Sequence, residues 1–466
     1  MVLSSDKQSY SRKSIGLVAG VLMIFFAAGA AVAQDPAAPG PPPAPKLVPS
    51  PSGTIPLSAV SRSALRNTIE GLVSCGTRHS LSSWTNPKRG IGCGRDHIVA
   101  EFKKIAANTG GRLRVVVDRF EVKAPRTGNK LVPMENVYAI LPGSDAAIEK
   151  TVFVVSGHFD SMPTHIMDPA SDAPGADDDG SGAAVSIECA RLLARGHYRA
   201  TLVFATVSGE EQGLLGGTRL LEYLKQQGYT VGGMLDNDIV GADFAPGAPH
   251  RVRLFSGGGK TDDADSPSRE LARRVEEIDG RGNIRLIFRE DRLGRGGDHM
   301  PFVKAGLPAV RFTEPLENYH HEHQTPRLEN GVQYGDLMKF LNFGFMARVA
   351  RDNAEALREL AMAPAAPSDV ELSGAVTPSA KVSWTAPVDE QRAGFEILWR
   401  ETTVPRWSVF GFAESPETFV FKGISTDNHF FAVRSVGKNG SRSIAVPAVL
   451  RRRKSGRVRD PLRAGA

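Results

Sequence analysis

Short apolar segments alternate with longer amphipathic ones through the middle of the chain. Runs of β-branched and other apolar residues predict buried strands, and the longer segments have the apolar spacing of helices. The predicted strands are 113–122, 135–141, 152–156, 201–207, 234–239, 284–288 and 309–312. The predicted helices are 57–107 with a loop at 75–94, then 183–195, 214–227, 268–278 and 331–358. This alternation predicts an α/β fold with a mostly parallel central sheet flanked by helices.

From residue 369 onward the apolar period changes to two, and no helix is predicted. Several short strands of this kind predict a small all-β sandwich, with Trp384 and Trp399 in its core. Three motifs lie on its predicted strands: Val382-Ser-Trp384-Thr-Ala-Pro387, Gly394-Phe-Glu-Ile-Leu-Trp-Arg400 and Phe430-Phe-Ala-Val-Arg434. On these motifs the segment resembles a fibronectin type III module.

The first 33 residues have the pattern of a secretory signal peptide. Three basic residues precede an apolar run at 15–33, which ends in Ala31-Val-Ala33. The run is nearly long enough to span a bilayer, so an uncleaved anchor is the alternative. Because the small-residue ending has no purpose in an anchor, we expect cleavage after Ala33. The mature protein is then secreted or periplasmic and has no stable membrane insertion.

Composition and charge divide the rest of the chain. Residues 34–55 form a linker rich in proline and alanine, 56–360 the α/β domain, 367–450 the β-sandwich and 451–466 a basic tail. The tail carries seven basic residues and one acidic residue, which accounts for the whole formal charge of +6. The body is therefore close to neutral, and we expect no nucleic-acid partner.

The chain contains three cysteines, and none has the spacing of a metal site. Cys75 and Cys93 lie in glycine-containing, loop-like sequence and could pair, since export permits a disulfide. Cys189 lies in a predicted apolar helix and is expected to be a buried free thiol.

Three consecutive carboxylates, Asp177-Asp-Asp179, lie between glycines just before a predicted helix. Like charges repel, and a bound divalent cation is one reason for a folded protein to hold them together. A solvated acidic turn that caps the helix is the alternative. The cation is favoured because further candidate ligands repeatedly lie just past predicted strands, or near the end of one in the case of Asp238, where sites form in α/β sheets. These candidates are His158, Asp160, Glu210, Glu211, Asp238, His320, His321 and His323.

Five motifs run in order through the α/β part of the chain. They are His158-x-Asp160, Gly175-Ala-Asp-Asp-Asp179 with Ser181-Gly182, Glu210-Glu211-x-Gly213-Leu214, Asp238-Ile-Val-Gly241, and Asp298-His299-Met-Pro-Phe302 with Gly306-Leu-Pro308. On these motifs, residues 60–355 resemble the M28 metallopeptidases of the di-zinc aminopeptidase type. The resemblance implies a zinc exopeptidase-like fold, two Zn²⁺ ions per chain, and hydrolysis of peptide substrates at the free N-terminus.

The resemblance also implies a role for each candidate residue. Asp178 bridges the two zinc ions, one oxygen to each. Glu210 is the general base that takes a proton from the metal-bound water and passes it to the leaving amine. Asp160 orients the ring of His158 through its second nitrogen. The other implied ligands each bind one zinc ion: His158 and Asp238 bind the first, and Glu211 binds the second.

The last zinc ligand is expected in a cluster of three histidines. The family ends its ligand set with a histidine, often after tyrosine and four residues ahead of an aspartate, and the aspartate is missing here. An ungapped reading on Tyr319 gives His320, whereas placing the acid at Thr325 gives His321. We predict His321, with His320 and His323 as alternatives.

Three other functions compete with the aminopeptidase. A carboxypeptidase or a single-zinc glutaminyl cyclase would use the same fold. A non-enzymatic binding protein would have a degenerate peptidase domain, with a β-sandwich that contacts another protein or a cell-surface polymer. A residue is present for every role of the dinuclear set, and this favours hydrolysis with two zinc ions.

Overall fold

The computed structural model describes residues 54–258, 265–415 and 417–450. The predicted signal peptide, nearly all of the predicted linker and the basic tail lie outside the described residues. Within them, none of the helices is both long and apolar enough to span a bilayer.

The centre of the first part is an eight-stranded sheet in the order β1-β2-β4-β3-β5-β8-β6-β7. Four neighbouring pairs are parallel, namely β3 with β4, β3 with β5, β5 with β8, and β6 with β7. The remaining pairs are antiparallel. The strands are β1 (Arg114–Lys123), β2 (Leu131–Leu141), β3 (Thr151–His158), β4 (Thr201–Val207), β5 (Thr230–Asn237), β6 (Val252–Phe255), β7 (Ile284–Ile287) and β8 (Ala309–Thr313).

Helices cover both faces of this sheet, which confirms the predicted α/β architecture. The helices are α1 (Arg62–Val73), α2 (Ile91–Ala106), α3 (Gly180–Leu193), α4 (Leu215–Gln226), α5 (Pro267–Asp279), α6 (Met300–Lys304) and α7 (Phe343–Met362). On one face, α1, α2, α3, α5 and α7 share a large apolar core with the strands. On the other face, α4 and α6 enclose a second, smaller core. Burial on both faces explains why the central strands are almost wholly apolar.

Several segments differ from the sequence prediction, including the short helix α6, where no helix is predicted. The sequence predicts a closing helix over 331–358, but a short hairpin of β9 (Arg327–Glu329) and β10 (Val332–Tyr334) precedes α7. Gly331 has φ 79° in the turn of this hairpin. This left-handed backbone conformation favours glycine and does not occur inside a right-handed helix. Helix α2 begins inside the expected loop at 75–94, and β6 was missed because its arginine interrupts the apolar run.

The C-terminal part is a β-sandwich, as predicted. Its two four-stranded sheets have the orders β15-β12-β11-β18 and β14-β13-β16-β17. Trp384 is buried in the core between them, and Trp399 packs against that core while partly exposed. The strands are β11 (Ser368–Ser373), β12 (Ala380–Thr385), β13 (Arg392–Glu401), β14 (Ser408–Ala413), β15 (Thr418–Phe421), β16 (His429–Gly437), β17 (Val446–Pro447) and β18 (Val449–Leu450).

Ion pairs join the sandwich to the α/β part. Arg434 of β16 lies 2.6 Å from Glu277 of α5 and 2.6 Å from Glu396 of its own sheet. Arg400 of β13 lies 2.6 Å from Asp265. The two parts are therefore in direct contact through charged side chains.

The states of the three cysteines agree with the sequence analysis. Cys75 and Cys93 form a disulfide, with Cα atoms 5.8 Å apart. It ties the segment after α1 to the first turn of α2. Cys189 is a buried free cysteine in α3.

Candidate metal centre and its cavity

Three adjacent parallel strands deliver the candidate residues to one edge of the sheet. His158 is the last residue of β3, Glu210 and Glu211 follow the end of β4, and Asp238 follows the end of β5. Because β4, β3 and β5 are neighbours with aligned carboxyl ends, these side chains converge. Asp178 reaches the same point from the loop before α3.

Two groups of potential metal ligands share Asp178. In the first group, His158 Nε2 lies 3.1 Å from Asp178 Oδ1 and 3.9 Å from Asp238 Oδ1. In the second group, His323 Nε2 lies 2.9 Å from Asp178 Oδ2 and 3.1 Å from Glu211 Oε1. The ligand atoms of each group lie within 4.8 Å of one another. The two oxygens of one carboxylate thus face two separate groups.

His323 takes the place for which the sequence analysis selected His321, and that prediction is corrected. The ring of His321 stacks on the ring of Phe340, with centroids 3.6 Å apart. His320 packs against Tyr334 instead. A turn with φ 52° at His323 directs the chain so that only the third histidine of the cluster reaches Asp178.

Both groups fit divalent metal ions. They offer nitrogen and carboxylate oxygen donors, which zinc accepts in tetrahedral and five-coordinate sites. Within the described part of the chain, His158 Nε2 and Glu211 Oε1 are buried and make no hydrogen bond, which leaves their lone pairs available to an ion. Burial raises the pKa of Asp238 to about 6, against the opposing effect of Arg311. A cation between these carboxylates would offset the cost of burying them together.

Asp160 holds the neighbouring residues in place. Its Oδ1 lies 3.3 Å from His158 Nδ1, the ring nitrogen that faces away from the donor group. The backbone N–H groups of Glu210 and Glu211 donate to its two oxygens, each at 3.3 Å. The Ser80 hydroxyl donates to Oδ2 at 2.9 Å. One carboxylate therefore orients the histidine and also the turn that carries both glutamates.

The three consecutive aspartates have different partners. Asp177 accepts the backbone N–H of Gly241 at 2.7 Å. Asp179 accepts the N–H of Gly182 at 2.7 Å, which caps α3, and the N–H of His158 at 2.9 Å. Only the middle residue, Asp178, points into both donor groups. The outer two acids thus order the backbone on which Asp178 depends.

Sequence reasoning missed two supports of this loop. Arg78 is fully buried and donates to the carbonyl oxygens of Phe159 and Gly175 at 2.7 and 2.8 Å, which joins the segments after β3 and before α3. Asp336 accepts the backbone N–H of Asp178 at 2.7 Å. Arg78 lies in an expected loop, and no pattern in that loop distinguishes it. Asp336 follows a polar, glycine-containing segment, and no pattern in that segment distinguishes it either.

Glu210 belongs to neither donor group and lines the cavity above them. This cavity has a volume of about 540 Å³ and is also lined by Asp178, Glu211, Asp238 and His323. Burial raises the pKa of the Glu210 carboxyl, and the nearby Asp238 and Glu211 raise it further. A carboxyl group with a raised pKa, beside two metal-binding groups and open to a cavity, is suited to accept and return a proton.

Comparison with known proteins also indicates a metal-dependent enzyme. The sequence model of peptidase family M28 matches residues 136–336. A probable zinc metalloprotease of Leptosphaeria maculans is 40% identical over 410 residues, which are 83% of this chain and 94% of that protein. Another from Pyricularia oryzae is 37% identical over 417 residues, 84% of this chain and 82% of that protein. The chain belongs to peptidase family M28.

The solved structures add a shared fold. The LapA aminopeptidase of Legionella pneumophila matches with a TM-score of 0.50 at 21% identity, over 66% of this chain and 73% of that one. The family match in this M28 peptidase begins in β2 and ends at Asp336. It therefore includes every residue of the two donor groups.

Proposed function

We propose that this M28 peptidase is an exported zinc aminopeptidase with two zinc ions per chain. The observation that carries the proposal is the position of Asp178, whose two oxygens face separate groups of donors. A carboxylate shared in this way suits a pair of dications better than a single one. The names of the fungal relatives support zinc as the metal.

The residues that would hold the metals follow from the donor groups. His158 and Asp238 would complete one site and Glu211 and His323 the other, with Asp178 common to both. When bound, a zinc pair polarises the carbonyl of the scissile peptide bond and lowers the pKa of water.

Glu210 is proposed as the general base. Its side chain faces the cavity, and Asp160 fixes its backbone N–H. Glu210 accepts a proton from the attacking water and then donates that proton to the leaving amine as the peptide bond breaks. Arg78 and Asp336 take no part in the proton transfer. They hold the loops that position His158 and Asp178.

The exopeptidase assignment is supported by the size of the cavity. A cavity of about 540 Å³ has room for the end of a peptide. The choice of the amino end rests on the motifs that resemble the di-zinc aminopeptidases. A carboxypeptidase, a glutaminyl cyclase with one zinc ion, or a non-enzymatic binding protein are the alternatives.

Metal analysis combined with a small substrate panel tests this function. The panel contains a peptide with a free N-terminal leucine, its N-acetylated form, and a peptide that begins with glutamine. We expect two zinc ions per chain and cleavage of the free-amine peptides only. One zinc ion with cyclisation of the glutamine peptide would indicate a cyclase. Absence of both zinc and turnover would indicate a binding protein.

Export and the role of the sandwich complete the proposal. The disulfide between Cys75 and Cys93 supports export, because such bonds persist in oxidising compartments. The mature chain then begins at Gln34, and N-terminal sequencing of exported protein that still contained Met1 would contradict this. The sandwich is proposed to be a fibronectin type III-like module that contacts another protein or a cell-surface polymer.

A further inference from the structure

Arginines and carboxylates together line the cavity above the donor groups. Three arginines line it, and no lysine does so among the described residues. Its carboxylates are the metal-site residues and the proposed base, so zinc ions would neutralise most of its negative charge. With metals bound, an arginine without a carboxylate partner would therefore set the charge of the cavity. The arginines are Arg126, Arg292 and Arg295, and the apolar lining includes Met162, Ile166 and Leu214.

Two of these arginines are tied to one buried carboxylate. Glu317 lies 2.6 Å from Arg253 of β6 and 3.0 Å from Arg292, and it also pairs with Arg295. Arg292 has a second partner in Asp291, at 3.0 Å. Arg295 also lies 3.5 Å from Glu322, so acids of the protein already pair with both of these arginines.

The third arginine is placed differently. Arg126 lies in the turn between β1 and β2, and the residue is exposed. Its Nη1 donates to the backbone carbonyl oxygen of Glu211 at 2.8 Å. Within the described part of the chain, no carboxylate lies within ion-pair distance of Arg126. A guanidinium carries five N–H donors, so this contact fixes the group beside the metal site and leaves most of its donors for a ligand.

We propose that Arg126 binds a carboxylate of the substrate. This inference rests on the proposed function and adds the substrate class, peptides that present a carboxylate close to the scissile bond. A guanidinium pairs with a carboxylate through two parallel hydrogen bonds. The carboxylate has two possible sources: an acidic side chain on the N-terminal residue, or the C-terminal carboxylate of a very short peptide.

Two matched substrate pairs distinguish the sources. The first pair consists of the aspartyl and asparaginyl amides of one chromogenic amine, which differ only in a side-chain carboxylate. The second pair consists of dileucine and its C-terminal amide. We expect the carboxylate member of one pair to have a kcat/KM at least about tenfold higher, since a charged hydrogen bond contributes at least that much. The pair that shows the preference identifies the source.

Substitutions then assign the preference to Arg126. Arg126→Gln should abolish the ratio within the preferred pair. Lys130→Gln, which removes an exposed charge from the same hairpin, should keep it. Damage to the fold would lower both members of a pair together and leave their ratio unchanged. A preference that survives in Arg126→Gln, or equal rates within both pairs in the wild type, would overturn the inference.

Failure of the proposed function gives a different result. If the zinc-loaded protein cleaves no peptide, hydrolysis itself is contradicted. Calorimetric binding of the same four uncleaved compounds then decides the inference separately. Tighter binding of a carboxylate member that is lost in Arg126→Gln supports it, and equal binding within both pairs contradicts it.

Discussion

His323 Nε2 lies 2.9 Å from Oδ2 of Asp178. This contact assigns the third histidine of the 319–325 segment to the second donor group. Substitution of His323 should therefore affect zinc binding, whereas substitution of the other histidines of the segment should not. His323→Ala should weaken zinc binding at the second site by ~100-fold or more, since loss of even an outer-shell partner of a metal ligand costs up to that much. Zinc content should fall towards one ion per chain on dialysis.

His321→Ala is the matched control for this substitution. Its ring stacks on Phe340 and reaches neither donor group. We expect it to retain two zinc ions with at most a small loss of stability. If His321→Ala released zinc while His323→Ala retained it, the second donor group would be wrongly assigned.

Ser80 supports the site through Asp160, to which its hydroxyl donates at 2.9 Å. Ser80→Ala should lower zinc affinity or turnover by ~10-fold, because Asp160 orients both His158 and the turn of the glutamates. The free energy of unfolding should change by only about 1 kcal/mol. Ser82→Ala is the control, since that hydroxyl contacts only backbone atoms of His79 and Ile91. Equal loss of zinc affinity in both variants would contradict the role of Ser80.

Arg434 is the buried centre of the contact between the sandwich and α5. It is 5% exposed and pairs with Glu277 and Glu396. Arg434→Met should lower the free energy of unfolding by about 2 kcal/mol, because the buried Glu396 loses one charged hydrogen bond and keeps Arg442 as its partner. Arg406→Met removes an exposed pair with Glu276 at the same interface and should cost less than about 1 kcal/mol. Denaturant unfolding of both variants would measure the difference, and equal small effects would contradict it.

The α/β part is expected to fold without the sandwich. Deletion from residue 364 onward returns Glu277 and Asp265 to water, and it removes only the partly buried Ala365 and Ile444 from the two apolar cores of the central sheet. The truncated chain should therefore bind zinc and keep its helical circular dichroism, with a lower melting temperature. Loss of both the zinc and the fold would show that the two parts form a single domain.

Much of the candidate site could be predicted because it depends on strand ends. His158, Glu211 and Asp238 follow apolar strands, and parallel strands bring their carboxyl ends together whatever the exact register. Asp178 required more, namely the family motif, since composition alone cannot separate it from Asp177 and Asp179. In the structure the three aspartates are distinguished by their partners. Asp177 accepts the N–H of Gly241 and Asp179 accepts the N–H of Gly182.

The last histidine could not be chosen from sequence because it lies in a segment without regular structure. A left-handed turn at His323 brings that histidine to the donor group. The ring of His321 stacks instead on Phe340, which lies further along the chain. Arg78 was missed for a related reason. A buried arginine that binds carbonyl oxygens leaves no periodic pattern, so only the folded loops reveal its function.

Substitution of Glu210 tests its role as the general base at a two-zinc site, when zinc per chain is measured alongside turnover of a free-amine peptide. Glu210→Gln should retain two zinc ions and lose at least ~100-fold in rate, because an amide cannot accept the proton of the attacking water. In the control, Glu211→Gln should lose zinc first, since it removes an anionic ligand. Full activity of Glu210→Gln, or loss of its zinc while Glu211→Gln keeps two ions, would contradict the account.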